Sequence, residues 1–344
     1  MYHWLRKGMF LLSPEAAHEV AVHAMAAGRL TGMSRLFSGP RPSRPVELMG
    51  LTFPNPVGLA AGFDKNGDYI DALGALGFGH IEVGTVTPRP QPGNPKPRLF
   101  RLPEHEAIIN RMGFNNKGVD HLVKRLQSAR YDGVVGANIG RQKDTPTDRA
   151  ADDYRVCLEK VYPWCDYVAV NISSPNTPNL RELQDTGPLT ELLTELVEVR
   201  ARLESEHEMY RPIVLKIAPD WDEAALIASL AVIGESGLDG LIATNTTLER
   251  TPVADHRHAR EAGGLSGRPL MGPSTRVLER ARQVLGKDFP IIASGGIHGA
   301  ADAAAKQAAG ADLVQLYTGF IYEGPALIRA CTRTWAADPR HAAA

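Results

Sequence analysis

Eight short apolar runs recur along the chain, most of them followed by a polar or glycine-rich stretch and then a segment of helical period. They are Val57-Gly58-Leu59-Ala60, His80-Ile81-Glu82-Val83, Val134-Val135-Gly136-Ala137, Tyr167-Val168-Ala169-Val170, Ile213-Val214-Leu215-Lys216, Gly240-Leu241-Ile242-Ala243, Ile291-Ile292-Ala293 and Leu313-Val314-Gln315-Leu316. The runs are near-continuous rather than alternating, as strands buried on both faces should be. Thr190 to Leu203 and Pro273 to Leu285 exemplify the helical gaps. The pattern predicts an α/β fold, a (β/α)₈ TIM barrel over residues 46–335. A doubly wound sheet is the alternative.

Two segments fall outside the repeat. Residues 1–37 predict an N-terminal helical extension, with Ser13 as N-cap and Pro14 at the first helical position. Ala17, Val20, Ala21, Ala24 and Gly28 would share one helical face. Further forward, Trp4, Leu5, Met9, Phe10, Leu11 and Leu12 lie near Arg6 and Lys7, a composition suited to a membrane interface. A helical cap that only packs on the barrel is the other reading. Residues 38–45 read as a linker and 336–344 as a disordered tail. Residues 86–133 form a long connection rich in proline (Pro88, Pro90, Pro92, Pro95, Pro97), and such connections are commonly functional.

Composition narrows the function. The 344 residues carry a formal charge of −1, with none of the basic surplus of a nucleic-acid binder. Cys157, Cys165 and Cys331 are an odd number with no C-x-x-C pair, which fits a reducing cytosol better than a disulfide framework. No apolar run approaches the roughly 18 residues of a spanning helix, and no cleaved signal peptide is expected.

Barrel chemistry sits at the carboxyl ends of the strands. Ser294-Gly295-Gly296 after the seventh run and Tyr317-Thr318-Gly319 after the eighth stand at the usual phosphate position, where backbone amides cradle an anion. Gly263-Gly264-Leu265-Ser266-Gly267 reads as a third glycine loop. Tight turns alone would also use these glycines. Lys216 ends a buried strand, which is costly for a lysine unless it is paired, functional or able to reach water. It would suit a cofactor ring that becomes anionic, while Lys65 is a candidate cation for an anionic substrate. Asn110, Asn138, Asn171, Asn176 and Asn245 gather at the same rim. Their adjoining acceptors and donors complement a cyclic imide or pyrimidine edge, although any one could simply form a turn. Gly77-Phe78-Gly79 precedes a strand and lacks the third glycine of a dinucleotide site. His18 and His23 are five apart, off one helical face. His256 and His258 read as part of a charged surface loop.

The stretches LAAGFDKNG, EVGTVTPRPQPGNPKPRLFR, NRMGFNNKG, NISSPNTPNLR, LKIAPD, TNTT, GGLSGRPL, ASGGI and QLYTGFIYEGP occur in this order. Together they make the chain resemble the class 2 dihydroorotate dehydrogenases, the membrane-associated, quinone-linked type, over nearly its whole length. The resemblance implies an FMN-holding barrel that oxidises (S)-dihydroorotate to orotate in de novo pyrimidine synthesis and reduces a quinone. By motif, FMN would be held by Ala61, Gly62, Thr85, Asn138, Asn171, Lys216, Thr244, Gly267, Gly296, Tyr317 and Thr318. Substrate would contact Lys65, Asn110, Arg111, Met112, Gly113, Phe114, Asn171, Asn176, Asn245 and Thr246. Ser174 corresponds to the catalytic base, with Thr177 and Phe114 beside its proton path, and the segment beyond it to a lid. His18, Arg101 and Tyr317 match positions near the quinone entrance. The resemblance further implies peripheral attachment to the cytoplasmic face of the cell membrane, with no obligatory protein subunit, no metal and no nucleic acid.

Rivals remain at this level. A soluble class 1 relative would use fumarate or a partner subunit, but carries cysteine where position 174 is serine. A sugar-phosphate isomerase or lyase would place substrate on the glycine loops. A non-catalytic barrel would leave Lys65, Lys216 and the asparagines without a role.

Overall fold

The computed structural model describes residues 2–30 and 41–336. Residues 31–40 and 337–344, which include part of the linker and nearly all of the expected tail, lie outside the described residues.

Two helices open the chain, α1 (Tyr2–Met9) and α2 (Pro14–Leu30). The strands follow in order as β1 (Val46–Leu48), β2 (Leu51–Phe53), β3 (Val57–Leu59), β4 (His80–Val86), β5 (Leu99–Leu102) and β6 (Ala107–Asn110). Next come β7 (Val134–Ile139), β8 (Tyr167–Asn171), β9 (Ile213–Ile217), β10 (Gly240–Ala243), β11 (Gly264–Gly267), β12 (Ile291–Ser294) and β13 (Leu313–Leu316). Strands β3, β4, β7, β8, β9, β10, β12 and β13 close into a barrel through parallel pairings. They are the eight runs read from the sequence. The two helices predicted by period extend over Thr186–His207 and Met271–Leu285.

Strand alternation sorts the side chains into two layers. Val168 and Val170 join the apolar layer that includes the surrounding helices, whereas Tyr167 and Ala169 join a separate inner cluster with Val134, Val214, Ile242, Ile292 and Leu313. The same parity turns polar residues inward: Lys216 with Val214, Gln315 with Leu313, Asn138 with Val134. The β1–β2 hairpin adds Val46, Leu48 and Phe53 to the inner cluster, beside residues at the amino ends of the strands. Phe53 is fully buried there, and burial of such a side chain contributes about 1.5–3 kcal/mol.

The long connection is not a plain loop. It contains β5 and β6, which pair as an antiparallel hairpin, and β6 also pairs with β11. The Gly263-to-Gly267 stretch is therefore largely an edge strand of this small sheet rather than a free glycine loop.

In α2 the Ser13 Oγ accepts from the Ala16 amide at 3.4 Å, as an N-cap should. The predicted apolar face holds in part, with Ala17 buried and Ala21 and Gly28 half-buried, but Val20 and Ala24 are exposed while Val22, off that face, is buried. Docking rotates the buried face from Ala17 toward His18, which meets Phe63, and Val22, which joins the core. Helix α1 is held by Tyr2 OH donating to Ile321 O at 2.6 Å and Arg6 NH1 donating to Tyr322 O at 2.6 Å. Among the described residues, no helix is long and apolar enough to cross a membrane.

Candidate functional site

A cleft opens at the carboxyl ends of the barrel strands, as the fold dictates. Lys65, Thr85, Asn171 and Lys216 line it, together with Gly267, Gly295, Gly296, Tyr317 and Thr318. Its floor is a chain of oriented amides. Asn171 Nδ2 donates to Thr85 Oγ1 at 3.0 Å, Thr85 Oγ1 donates to Asn138 Oδ1, and Asn138 Nδ2 donates to Glu82 Oε1 at 2.8 Å. Asn171 Oδ1 in turn accepts from Ser173 N at 3.2 Å and from Asn245 Nδ2 at 3.3 Å. Each amide thus has a fixed direction.

Two lysines give the cleft positive charge. Burial pushes the Lys216 amine below the usual lysine range, and the Glu82 carboxylate pulls it back. Burial, with Arg98 adding to it, lowers Lys65 to about 8, and its Nζ donates to Gly62 O at 2.8 Å. Lys65 is close enough to act on His18, which burial and that charge bring down to about 4.

Another part of the lining is built from backbone. Gly296 has φ +81, and a Cβ there would stand 2.3 Å from Met271 Cα, so only glycine allows the chain to pass. Helices follow the two loops, starting at Ala300 and Thr318. Gln315 Oε1 is buried without a protein partner and its residue lines the cleft. The glycine cradle, the orphaned acceptor and the lysine suit a ligand with one anionic end and one ring bearing N–H and C=O groups.

Ser174 sits in the segment that follows β8. Pro175 and Pro178 fix φ there, and Arg181 ties the segment down. Its Nε donates to Ser173 O at 3.1 Å and its NH2 to Thr246 O at 3.1 Å, while NH1 meets Asp220 at 2.8 Å. Asn176 Nδ2 donates to Asn110 Oδ1 at 3.3 Å, linking this loop to β6.

Most residues singled out from the sequence meet in this one cleft. Ala61, Gly62, Lys65, Thr85, Asn171, Lys216, Thr244, Gly267, Gly296, Tyr317 and Thr318 line it. So do Asn110, Met112, Gly113, Phe114, Ser174, Asn176, Asn245 and Thr246. Asn138 stands one layer deeper, reaching the cleft through Thr85. Thr177 is buried away from the lining, and Arg111 turns aside to Glu261 at 2.6 Å. Arg101 lies over the Phe10 ring at 4.5 Å, outside the cleft, and His18 reaches Tyr317 only through Phe63, by ring contacts of 4.9 and 5.8 Å. His256 and His258 lie in a turn-rich surface stretch beside the exposed Asp255 and Arg257, as expected, with His256 in edge contact with His105 and tilted against His258.

Sequence reasoning passed over Glu82, Gln315 and Ser266. The first two carried a signal, a polar residue at inward parity inside an apolar run. Ser266, which accepts from Thr318 Oγ1 at 2.8 Å, carried none beyond its glycine-rich surroundings.

A family model described as dihydroorotate dehydrogenase matches residues 44–335. A relative from Alkalilimnicola ehrlichii named dihydroorotate dehydrogenase (quinone) is 56% identical over 342 residues, covering 99% of this chain and 100% of its own. One of the same name from Pseudomonas aeruginosa is 56% identical, covering 99% of each chain. Among solved structures, DHODH from Eimeria tenella in complex with ferulenol superposes with a TM-score of 0.85 at 38% identity, over 93% of this chain and 90% of the other. With its barrel, its cleft and these matches along nearly its full length, the chain belongs to the dihydroorotate dehydrogenase family.

Proposed function

We propose that this protein oxidises (S)-dihydroorotate to orotate with FMN as its cofactor and passes the electrons to a quinone, a step of de novo pyrimidine synthesis. The observation that carries the reading is the convergence of Ser174, Lys216 and three asparagines, Asn171, Asn176 and Asn245, on one cleft that also holds a glycine cradle. The relatives named dihydroorotate dehydrogenase (quinone) point the same way.

FMN would be held at its phosphate by the amides around Gly267, Gly296 and Thr318, and along its ring by Thr85, Asn171 and Lys216. Asn138 acts from behind Thr85. Bound FMN supplies a two-electron acceptor for the substrate and a donor for the quinone. Lys65 neutralises the substrate carboxylate, and Asn110, Asn176, Asn245 and Thr246 orient its ring edge. Ser174 Oγ takes the C5 proton, with Thr177 and Phe114 beside its onward path and Met112 and Gly113 shaping the wall. Lys216 offers a cation where negative charge develops.

The quinone would approach past α2 and take up the electrons near His18, Arg101 and Tyr317. Trp4, Leu5 and Leu11 are strongly exposed on and just after α1, which suits peripheral attachment to the cytoplasmic face of the cell membrane. One assay tests the whole reading. The purified protein should be yellow and should reduce a soluble quinone analogue, not fumarate, when given dihydroorotate. A colourless protein that takes up no FMN, or one that prefers fumarate, overturns it.

A further inference from the structure

Glu82 is fully buried inside the barrel. Its Oε1 accepts from Asn138 Nδ2 at 2.8 Å, and its Oε2 from Gln315 Nε2 at 2.7 Å and Tyr167 OH at 3.0 Å. Lys216 Nζ stands 3.9 Å from Oε1, the one ion pair that Glu82 makes among the described residues. Barrel interiors are normally filled by branched apolar side chains, and a carboxylate in such a place is costly unless it is paired and hydrogen-bonded. The partners are not random. Lys216 and Gln315 line the cleft directly, and Asn138 leads to it through Thr85 and Asn171.

We propose that Glu82 is a positioning residue for the flavin site. It is the counter-charge that keeps the Lys216 ammonium in the cleft, and the terminal acceptor that sets the direction of the Asn171–Thr85–Asn138 chain. As an acceptor only, it fixes Asn138 with its amide group inward and its carbonyl toward Thr85. Thr85 must then donate to Asn138 and accept from Asn171, so one buried charge orients three cleft-floor groups.

The inference rests on the FMN reading for its effect, but the charge pair itself does not need FMN. The groups facing Lys216 are few. Tyr167, on the neighbouring strand, is the other titratable group on the carboxylate, with its phenol raised by burial and by Glu82. Lys65 lies elsewhere on the same cleft lining, and β10, the other neighbouring strand, brings no charged side chain.

Glu82→Gln keeps the shape and removes the charge, so Lys216 should lose its proton at lower pH. The readout is the flavin midpoint potential against pH in the FMN-loaded protein. As pH rises the variant should fall away from the wild type before the wild type loses its own Lys216 charge, the reduced form losing relative affinity by about tenfold, or ~30 mV for two electrons. Glu82→Asp, which keeps the charge, and Tyr167→Phe, which keeps the carboxylate, should both track the wild type. Parallel curves for Glu82→Gln and wild type overturn the proposal.

A second measurement decides the matter if Glu82→Gln folds poorly or FMN is not bound. In chemical unfolding, Lys216→Met alone leaves the carboxylate unpaired, and adding Glu82→Gln should recover stability. A double variant no more stable than Lys216→Met shows that the two charges are not coupled, and also overturns the proposal. A wild-type protein that binds no FMN defeats the function reading, while this unfolding comparison still decides whether the two charges are coupled.

Discussion

The Ser174 hydroxyl accepts a hydrogen bond from the Asn176 backbone amide at 3.3 Å. That contact turns the oxygen of Ser174 by way of its own loop and leaves its proton free to move onward. If Ser174 is the base, Ser174→Ala should bind FMN and dihydroorotate as the wild type does. Flavin reduction should slow by about 10²–10⁴-fold, read as flavin bleaching after rapid mixing. An Ala variant that bleaches at the normal rate would leave Ser174 only its turn.

Arg181 offers a test of the loop's anchorage. Its fork holds Ser173 O and Thr246 O while pairing with Asp220. Arg181→Lys cannot span all three, because an ammonium lacks the planar fork. FMN content should stay normal and flavin reduction should fall, by up to about 10²-fold for a displacement near 1 Å. Asp220→Asn should show the same split in milder form.

Gly296→Ala places a methyl carbon against Met271 backbone at 2.3–2.4 Å and forces a non-glycine residue to φ +81. The backbone cannot yield as a side chain would. A cost of about 1–3 kcal/mol is expected, seen as a lower melting temperature together with a lower ratio of flavin absorbance to protein.

How much of this was legible from the sequence depends on the element. The barrel strands were, because each is a continuous apolar run whose burial needs no knowledge of its neighbours. The β5–β6 hairpin was not, since its pairing with β11 joins segments more than 150 residues apart and both are dressed in turn-forming residues. The face of α2 was misread because Val20 and Val22 are chemically alike, and only docking against Phe63 and its surroundings tells them apart. Arg101 and His18 were matched by motif to a quinone entrance, and their contacts with Phe10 and Phe63, outside the cleft lining, were not readable from the sequence. Glu82 was readable by strand parity but looked like one acid among 39.

His80 gives a prediction about acid. Its ring lies against Gly58, where a Cβ would fall 2.0 Å from Nε2, and neither ring nitrogen has a partner. Burial lowers its pKa from about 6.5 to about 3. Between those values the unfolded chain binds the extra proton, so this contribution is whole above pH 6.5 and drains away as pH falls toward 3. The slope is at most about 1.4 kcal/mol per pH unit. His80→Phe should flatten the melting temperature's decline between pH 6.5 and 4.5.

The amino-terminal segment should separate membrane binding from chemistry. Trp4 and Leu11 are 77% and 89% exposed, and each buries about 1.5–3 kcal/mol worth of apolar surface on entering lipid. Changing both to Glu should weaken binding to phospholipid vesicles by at least about 10²-fold. Bleaching by dihydroorotate should be untouched, whereas turnover with a membrane-dissolved quinone should collapse.

The hairpin of Val46, Leu48 and Phe53 closes the barrel at the amino ends of its strands. Among the described residues the barrel is therefore a vessel stoppered at its amino end, a cul-de-sac rather than a corridor. Whatever delivers electrons and whatever carries them off must share the same hemisphere, and traffic there has to be divided sideways, between the loop that bears Ser174 and the flank on which α2 lies.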